Sequence, residues 1–356
     1  MINLKAPFPW FGGKSRVAPV VWEAFGDCLN YVEPFAGSLA VLLGRPSPPR
    51  IETANDRDGF ISNVWRAIAF APDEVAHWAD WPVHECDLHA RHAWLQKRRV
   101  VLSRQLEGDP LYYDAQIAGW WLWGISCWIG GGWCAEGAAG PWRVVRTPEG
   151  GDQLLRNHDG VLGVRRRIPS IGAGGSRGVT RQIPALGKGR DVGVHRQRPH
   201  LGGAGGGTGL HAGESACLAA WMHELRTRLR DVRICCGDWA RVVTPTVTYH
   251  HGITGVFLDP PYAHAMRDQV YGIEEDCGDA VRRWALANGD NPLLRIALCG
   301  YAGEHDMPAS WRAYHWQAPG GMAAAGTRAR ANAGRERIWF SPHCLAPTRQ
   351  MAMFPA

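Results

Sequence analysis

Lysine, long apolar runs and paired cysteines are scarce in this sequence, and each absence narrows the class of protein. Only four of the 39 basic residues are lysine, and the rest are arginine. No apolar run is long enough to cross a bilayer, and the opening stretch MINLKAPFPWFGGK lacks the apolar core of a signal peptide. None of the ten cysteines belongs to a CxxC pair, which argues against structural zinc and a disulfide framework. We therefore expect a cytoplasmic protein with no membrane partner and no metal.

The composition that remains is that of a globular protein with a local excess of arginine. The 356 residues are 46% apolar and 20% charged, enough for one large core or two modest ones. Residues 151–214 hold nine Arg and one Lys against three Asp and one Glu, which accounts for the whole net charge of +6. Basic charge gathered in one segment favours a polyanionic partner.

An internal repeat lies in the same basic segment. Three copies of an Arg-Pro-Gly pattern begin at Arg166, Arg181 and Arg196 and together fill residues 166–211. Such a composition buries no core of its own, so we expect the segment to be extended or mobile without a partner. A flexible linker is one interpretation. We favour a loop that contacts nucleic acid, because a linker has no need of arginine in register.

Helix and strand patterns alternate at both ends of the chain, which predicts an α/β fold with a parallel sheet covered on both faces. Between the two alternating parts, the pattern from residue 72 is helical and rich in tryptophan. Three parts follow, namely 1–71, an insertion at 72–213, and 214–356. The predicted strands are 30–35, 51–56, 232–237, 255–259, 294–301 and an antiparallel edge of 311–318 and 336–344. The predicted helices are 15–26, 37–44, 58–70, 214–231 and 274–288.

The stretch DPPY, Asp259 to Tyr262, follows the predicted strand 255–259 directly. Ligands of open parallel sheets lie beyond the carboxyl ends of the strands, which is where Asp259 should be. A carboxylate and a backbone carbonyl held by prolines can both accept hydrogen bonds from one amino group, and an aromatic ring beside them can stack on a planar heterocycle. The stretch therefore indicates a receptor for an exocyclic amine of a base, with Tyr262 as an exposed ring.

Two further motifs near the N-terminus indicate a nucleoside-bearing cofactor. EPFAGS turns from the predicted strand 30–35 into a helix N-terminus, and Asp56 ends the next strand, where a carboxylate commonly binds ribose hydroxyls. In PWFGGKSR, Trp10 can stack and Lys14 brings a cation toward a carboxylate or phosphate. Either motif alone is also compatible with an ordinary turn before a helix.

Taken together and in order, FGGK, EPFAG, ND, a long insertion, DPPY and WFSPHC resemble the Dam-type N6-adenine-specific DNA methyltransferases, particularly those carried by phages and prophages. The resemblance covers residues 5–70 and 230–345. It implies a Rossmann-like S-adenosylmethionine-dependent methyltransferase sheet, with 72–213 as an inserted, mostly helical and loop-rich target-recognition region. Double-stranded DNA is the implied partner; many relatives act as monomers, and the oligomeric state stays open.

The same resemblance implies roles for individual residues. Asp259 and the carbonyl of Pro260 should hold the adenine amino group, while Tyr262 stacks on the flipped base. The EPFAG turn should line the methionine end of S-adenosylmethionine, and Asp56 should hold its ribose. The residues with an implied cofactor-binding role are Trp10, Lys14, Glu33, Phe35, Gly37, Asp56 and Asp259.

The chain departs from the family pattern at two places. Leu39 stands where the family often has a second glycine, which affects the fit of the turn around the cofactor. The tryptophan-rich stretch WWLWGISCWIGG replaces a segment that usually carries asparagines and contacts DNA, so the target sequence cannot be inherited. Its tryptophans are either core residues or a wedge for the gap that a flipped base leaves.

Methylation of an amino group that is paired inside a duplex requires base flipping, but no metal and no covalent intermediate. The arginines at 166, 181 and 196 should contact phosphates, so we expect DNA affinity to fall steeply with salt. Competing interpretations are methylation of cytosine N4, methylation of adenine in RNA, and methylation of protein glutamine. A catalytically inactive DNA-masking protein and an RNA-binding module built on the Arg-Gly repeat also stay open.

Overall fold

A seven-stranded mixed sheet organises the chain, and it confirms the predicted α/β class. The computed structural model describes residues 4–10, 13–109, 111–128, 133–134, 142–146, 152–156, 212–262, 277–316 and 334–346. The strands of this sheet, in chain order, are β1 (Asn30–Glu33), β2 (Ile51–Asp56), β5 (Val232–Cys236), β6 (Thr254–Leu258), β7 (Leu294–Tyr301), β8 (Arg312–His315) and β9 (Glu336–Phe340). A separate two-stranded hairpin contains β3 (Trp142–Arg146) and β4 (Asp152–Arg156), which the sequence patterns did not predict.

The strand order is β5-β2-β1-β6-β7-β9-β8. The first five of these strands run parallel, and β9 is inserted antiparallel between β7 and β8. The parallel part follows the order of a doubly wound nucleotide-binding sheet, in which ligands bind where the strand order reverses. That reversal falls between β1 and β6, so the carboxyl ends of these two strands mark the crevice. Every residue of both strands is buried, as expected when helices cover both faces of a sheet.

Local signals explain where several helices begin. The Asp58 side chain accepts a hydrogen bond from the Phe60 N–H and caps α3, and Asp114 caps α6 through the Ile117 N–H. Pro72 opens α4 directly after α3 because proline is tolerated in the first turn of a helix. The helices are α1 (Ala18–Phe25), α2 (Ala40–Leu43), α3 (Gly59–Phe70), α4 (Pro72–Ala79), α5 (Glu85–Gly108), α6 (Ala115–Cys127), α7 (Ala212–Leu229) and α8 (Gly278–Asn288).

The helical part of the insertion shares a core with the sheet. Helix α6 packs against α3 and α4, and α4 also packs against α7. Buried Leu95 and Trp121 from the insertion belong to the same hydrophobic cluster as Phe25 and Phe60 from the first part of the chain. Four tryptophans of the tryptophan-rich segment are buried, which favours the core interpretation over the wedge for Trp121, Trp123, Trp128 and Trp133.

Part of the predicted insertion at 72–213 lies outside the described residues. These undescribed positions include the Arg-Pro-Gly repeat at 166–211, with Arg166, Arg181 and Arg196. Among the helices that are described, none has the length and apolar character needed for a membrane crossing.

A buried ion-pair network ties α7, after the insertion, to the first part of the sheet. Arg228 binds both carboxylate oxygens of Glu52 on β2, at 2.6 and 2.9 Å, and Arg45 approaches the same carboxylate at 3.2 Å. Arg228 also donates to the Leu42 carbonyl at 2.7 Å. The network therefore fixes α7 against the β2 strand and the end of α2.

Removing Glu52 should destabilise the fold, because two buried guanidinium groups would lose their carboxylate. We expect Glu52→Ala to lower the free energy of unfolding by about 3–5 kcal/mol. The control is Arg50→Ala, which breaks the exposed Arg50–Asp27 pair and should cost less than about 1 kcal/mol. Urea unfolding of the three proteins measures both values, and equal losses in the two variants would contradict the structural role of the network.

Candidate active site

The carboxyl ends of β1, β2 and β6 open into a cleft of about 820 Å³, counted with the solvent at its mouth. Its walls come from the segments that follow these strands and from the stretch before α1. The cleft lies at the reversal of strand order, where an open α/β sheet binds its ligands. The residues with an implied cofactor-binding role all line it: Trp10, Lys14, Glu33, Phe35, Gly37, Asp56 and Asp259.

Glu33, the last residue of β1, is a buried acid in the cleft wall. Its Oε2 accepts hydrogen bonds from the Tyr31 hydroxyl at 2.9 Å and from the Leu42 N–H at 3.3 Å. Burial raises the pKa of Glu33 to about 8, although both hydrogen bonds oppose this shift. The carboxyl group is therefore mostly protonated at neutral pH, and a cation placed beside it would favour its ionised form.

Asp56, at the end of β2, is tied to two backbone N–H groups. Its Oδ2 accepts from Gly37 and its Oδ1 accepts from Asp58, both at 2.9 Å. Burial raises the pKa of Asp56 to about 7 despite these hydrogen bonds, which favour the charged form. Because a carboxylate oxygen can accept two hydrogen bonds, Asp56 retains acceptor sites for hydroxyl groups in the cleft.

The turn after β1 has two residues in the left-handed region. Gly37 has φ +44°, and a Cβ there would lie 2.5 Å from Trp10 Nε1, so only glycine fits beneath the indole. Leu39 has φ 52° and ψ 28°, the conformation that glycine adopts without strain. The turn therefore keeps a glycine-like backbone at Leu39. The helix N-terminus predicted at this turn can attract a negative group only weakly, because α2 starts only at Ala40 and has four residues.

Trp239 forms an apolar wall of the cleft with Phe35, and the sequence analysis missed it. The two rings stack at 6.2 Å with an interplanar angle of 28°. Trp239 lies in a short 3₁₀ turn after β5, capped by the Asp238 side chain at the Ala240 N–H. The sequence feature that could have identified Trp239 was an aromatic residue just beyond the predicted strand 232–237, which ends in glycine.

Asn55 holds the ends of two strands in place behind this wall. Its Nδ2 donates to the carbonyls of Pro34 and Gly237, both at 3.0 Å. The amide therefore connects the chain beyond β1 to the chain beyond β5. The two residues of the ND motif have different roles. Asn55 fixes the frame of the cleft, and Asp56 presents acceptors inside it.

An ion pair joins the two distant motifs of the site. Lys14 Nζ lies 2.9 Å from Asp259 Oδ2, and the lysine side chain is almost fully buried. The cation also faces the rings of Tyr262 and Trp316, at 5.3 and 5.9 Å from their centroids. The carboxylate end of the DPPY stretch is thus held by a cation and still lines the cleft.

Tyr262 is buried, which corrects the expectation of an exposed ring. Only 5% of the residue is accessible, and its ring packs edge-on against Tyr301 at 4.5 Å. Its hydroxyl lies 2.8 Å from Glu336 Oε2 and 3.2 Å from Asp259 Oδ1. The physical reason is Glu336 on β9, a buried acid that the sequence analysis missed and that draws the phenol inward. The available signal was a carboxylate at the start of the predicted strand, in the stretch ERIWF.

The two prolines of the stretch differ in position. Pro260 is buried, whereas Pro261 lines the cleft beside Asp259. Within the described residues no group of three His, Cys, Asp or Glu side chains could hold a metal ion. The chemistry that these residues offer is hydrogen-bond acceptance and charge stabilisation.

Comparison with known proteins adds no identity to this geometry. No protein-family model matches the chain, and no curated protein sequence is significantly similar to it.

Because Gly37 lies so close to Trp10, a side chain at position 37 should destabilise the turn. Gly37→Ala should lower the free energy of unfolding by about 1–2 kcal/mol for the left-handed backbone and by about 1–3 kcal/mol more for displacement of the indole. Gly303→Ala is the matched control, because Gly303 has φ +84° but no atom within 4 Å of a Cβ. Urea unfolding measures the loss of unfolding free energy in both variants. Equal losses would show that the Trp10 indole can be displaced at no cost in free energy.

Proposed function

We propose that this protein is an S-adenosylmethionine-dependent DNA methyltransferase that modifies the exocyclic amino group of adenine. The observation that carries the proposal is the position of Asp259. It ends a parallel strand at the reversal point, lines the cleft, and is followed by the proline-held turn. A carboxylate so placed can accept the protons of an amino group presented at the mouth of the cleft.

The cleft residues fit S-adenosylmethionine. Asp56 offers acceptors for ribose hydroxyls, and the stacked rings of Phe35 and Trp239 offer an apolar surface for a purine. Glu33 is a buried carboxyl group whose raised pKa leaves it ready to ionise beside the cationic methionine end. When bound, S-adenosylmethionine supplies the methyl group.

The role of Asp259 follows from the electronic structure of the target. The lone pair of an adenine amino group is delocalised into the ring, which makes the nitrogen a poor nucleophile. Acceptance of its protons by Asp259 and the Pro260 carbonyl localises that pair on nitrogen. Lys14 holds Asp259 Oδ2, the Tyr262 hydroxyl lies 3.2 Å from Oδ1, and each oxygen has room to accept a hydrogen bond from the base.

The arrangement of Lys14 also orients the carboxylate before the base arrives. Holding Asp259 in one direction removes the cost of reorganising it during the reaction, and positioning of this kind supplies much of an enzyme's rate. Because the amino group is paired inside duplex DNA, the base must leave the stack to reach Asp259.

The first test of the function is to map modified bases in DNA from cells that express the protein. We expect wild-type protein to produce methylated adenine in one sequence motif. Asp259→Ala should lower methylation by about a hundredfold or more and keep some DNA binding, because the phosphate contacts remain. The control is Asp279→Ala, which changes an exposed acid beside Arg282 and should methylate normally.

Each other outcome of this test has a definite meaning. Methylated cytosine would keep the mechanism and change the base, whereas an active Asp259→Ala protein would overturn the proposed role of Asp259. A wild-type protein that binds no S-adenosylmethionine and modifies no DNA would contradict the proposed function.

Cofactor binding should depend on pH through the two buried acids. Glu33 is protonated below about pH 8 in the free site, and a cation beside it favours the ionised form, so binding should release a proton. Asp56 should release a second proton near pH 7, because hydroxyl donors also favour its ionised form. The affinity for S-adenosylmethionine should therefore rise as pH increases through both values and level off above them.

Calorimetric titration in buffers of different ionisation enthalpy measures the released protons. Glu33→Gln keeps acceptor capacity for Tyr31 and Leu42 but cannot ionise, so it should remove the release near pH 8 and leave the one near pH 7. A profile that is the same in wild type and Glu33→Gln would show that the cation does not lie beside Glu33.

A further inference from the structure

Glu336 is a buried acid at the catalytic edge of the sheet. It is the first residue of β9, and it pairs in register with Tyr301, the last residue of β7. Because β9 runs antiparallel to its neighbour, its first residue lies at the same edge as the carboxyl ends of the parallel strands. Only 5% of Glu336 is accessible, and its Oε2 lies 2.8 Å from the Tyr262 hydroxyl.

Tyr262 connects this acid to Asp259. The two carboxyl groups compete for the single proton of the Tyr262 hydroxyl. The phenol oxygen lies within hydrogen-bond distance of both carboxyl groups, at 2.8 Å from Glu336 and 3.2 Å from Asp259. A tyrosine hydroxyl has a single proton and can donate it to only one of them. The protonation state of Glu336 decides which.

We propose that Glu336 is a positioning residue that acts through the Tyr262 hydroxyl and sets how strongly Asp259 can accept the protons of the target amino group. This inference rests on the proposed function. When Glu336 is ionised, it accepts the hydrogen bond of the Tyr262 hydroxyl, and Asp259 Oδ1 is left to accept from the amino group. When Glu336 is protonated, it donates to the phenol oxygen, and Tyr262 donates to Asp259 Oδ1. Asp259 is then a weaker acceptor.

The surroundings of Glu336 favour its protonated form more than those of an exposed glutamate do. Burial raises the pKa of Glu336, and the negative charges of Asp259 and Glu304 act in the same direction, while Lys14 and the Tyr262 hydrogen bond oppose them. The other titratable groups on the packed strands are Arg295, Cys299 and Tyr301 on β7, Arg312, Tyr314 and His315 on β8, and Arg335 and Arg337 beside Glu336 in the chain. The acid therefore titrates above the range of an exposed glutamate.

No covalent step is needed for this role. The Tyr262 hydroxyl only changes the carboxyl group to which it donates, and the methylated amino group gives its surplus proton to Asp259. That proton reaches solvent from Asp259, whose side chain is 22% exposed at the cleft.

The test compares the pH dependence of single-turnover methyl transfer in matched variants. Wild-type protein should show a rate that rises with pH through one inflection. Glu336→Gln and Tyr262→Phe should both lose the inflection, and Glu336→Gln should slow the step by about tenfold, the size of one hydrogen bond to a charged group. In the Tyr262→Phe protein, adding Glu336→Gln should change nothing, because the path between the two acids is already cut.

Glu304→Gln is the control. Its amide oxygen can still accept from the Tyr301 N–H, as Glu304 Oε2 does at 2.7 Å. It should keep the wild-type rate above the inflection and keep the inflection itself, moved to lower pH because the Glu304 charge that raises the pKa of Glu336 is removed. A Glu336→Gln protein with the wild-type profile, or additive losses in the double variant, would overturn the proposal in favour of a purely structural acid.

A second measurement does not depend on activity. In protein labelled with ¹³C at the tyrosine Cζ, the Tyr262 signal is the one that Tyr262→Phe removes. It should shift with pH in wild type and stay constant in Glu336→Gln, and an identical shift in both would contradict the proposal. If wild-type protein methylates no adenine, the proposed function fails, and this signal alone then decides whether Glu336 controls the Tyr262 proton.

Discussion

The ion pair between Lys14 and Asp259 is the contact on which the geometry of the site depends. One partner precedes the first helix and the other follows β6, so the 2.9 Å contact closes the cleft across the reversal of strand order. It also places a positive charge among several acids. Burial raises the pKa of Glu33 and of Glu336, and the negative charge of Asp259 adds to the effect on both. Without the lysine, the carboxylate of Asp259 would lose the cation that holds it in position.

The turn after β1 illustrates how packing can keep a costly backbone conformation. Leu39 adopts a left-handed conformation that costs a residue with a Cβ about 1–2 kcal/mol relative to glycine. Its side chain is completely buried in the core, and burial of a leucine contributes about 1.5–3 kcal/mol. The two terms are of similar size, so the chain can place leucine at a position that favours glycine and still keep the turn beneath Trp10.

Much of the frame of the cleft could be predicted from the sequence, because it depends on short-range patterns. EPFAG, ND and DPPY each follow an apolar stretch, and parallel strands bring their carboxyl ends to one edge. The bounds of β2 and β7 agree with their predicted strands for the same reason. The burial of Tyr262 could not be predicted in this way. It depends on Glu336, which is 74 residues away and reaches the site only because β9 enters the sheet antiparallel.

The insertion was predicted as a separate part, but its described helices are packed into the common core. The sequence shows the helical periodicity of α4 to α6 without showing which surfaces they cover. In the structure, α6 lies against α3, and Trp121 contacts Phe8 and Trp10 edge-on or tilted, at 5.3 and 6.4 Å. A stretch read as a recognition element therefore also packs against Trp10, one of the residues that line the cleft.

The long connection between β2 and β5 has a consequence for folding while the protein is synthesised on the ribosome. The central strand β1 pairs with β6, and the paired residues Asn30 and Thr254 are 224 positions apart. At about 5–20 residues per second, roughly 10–45 seconds pass between the synthesis of these two partners. During that time one edge of β1, whose residues are all buried in the finished fold, has no neighbouring strand, and pairing between strands so distant in sequence is slow. The insertion, whose helices can form locally, is made in the same interval and can cover the apolar face of α3 before the sheet is complete.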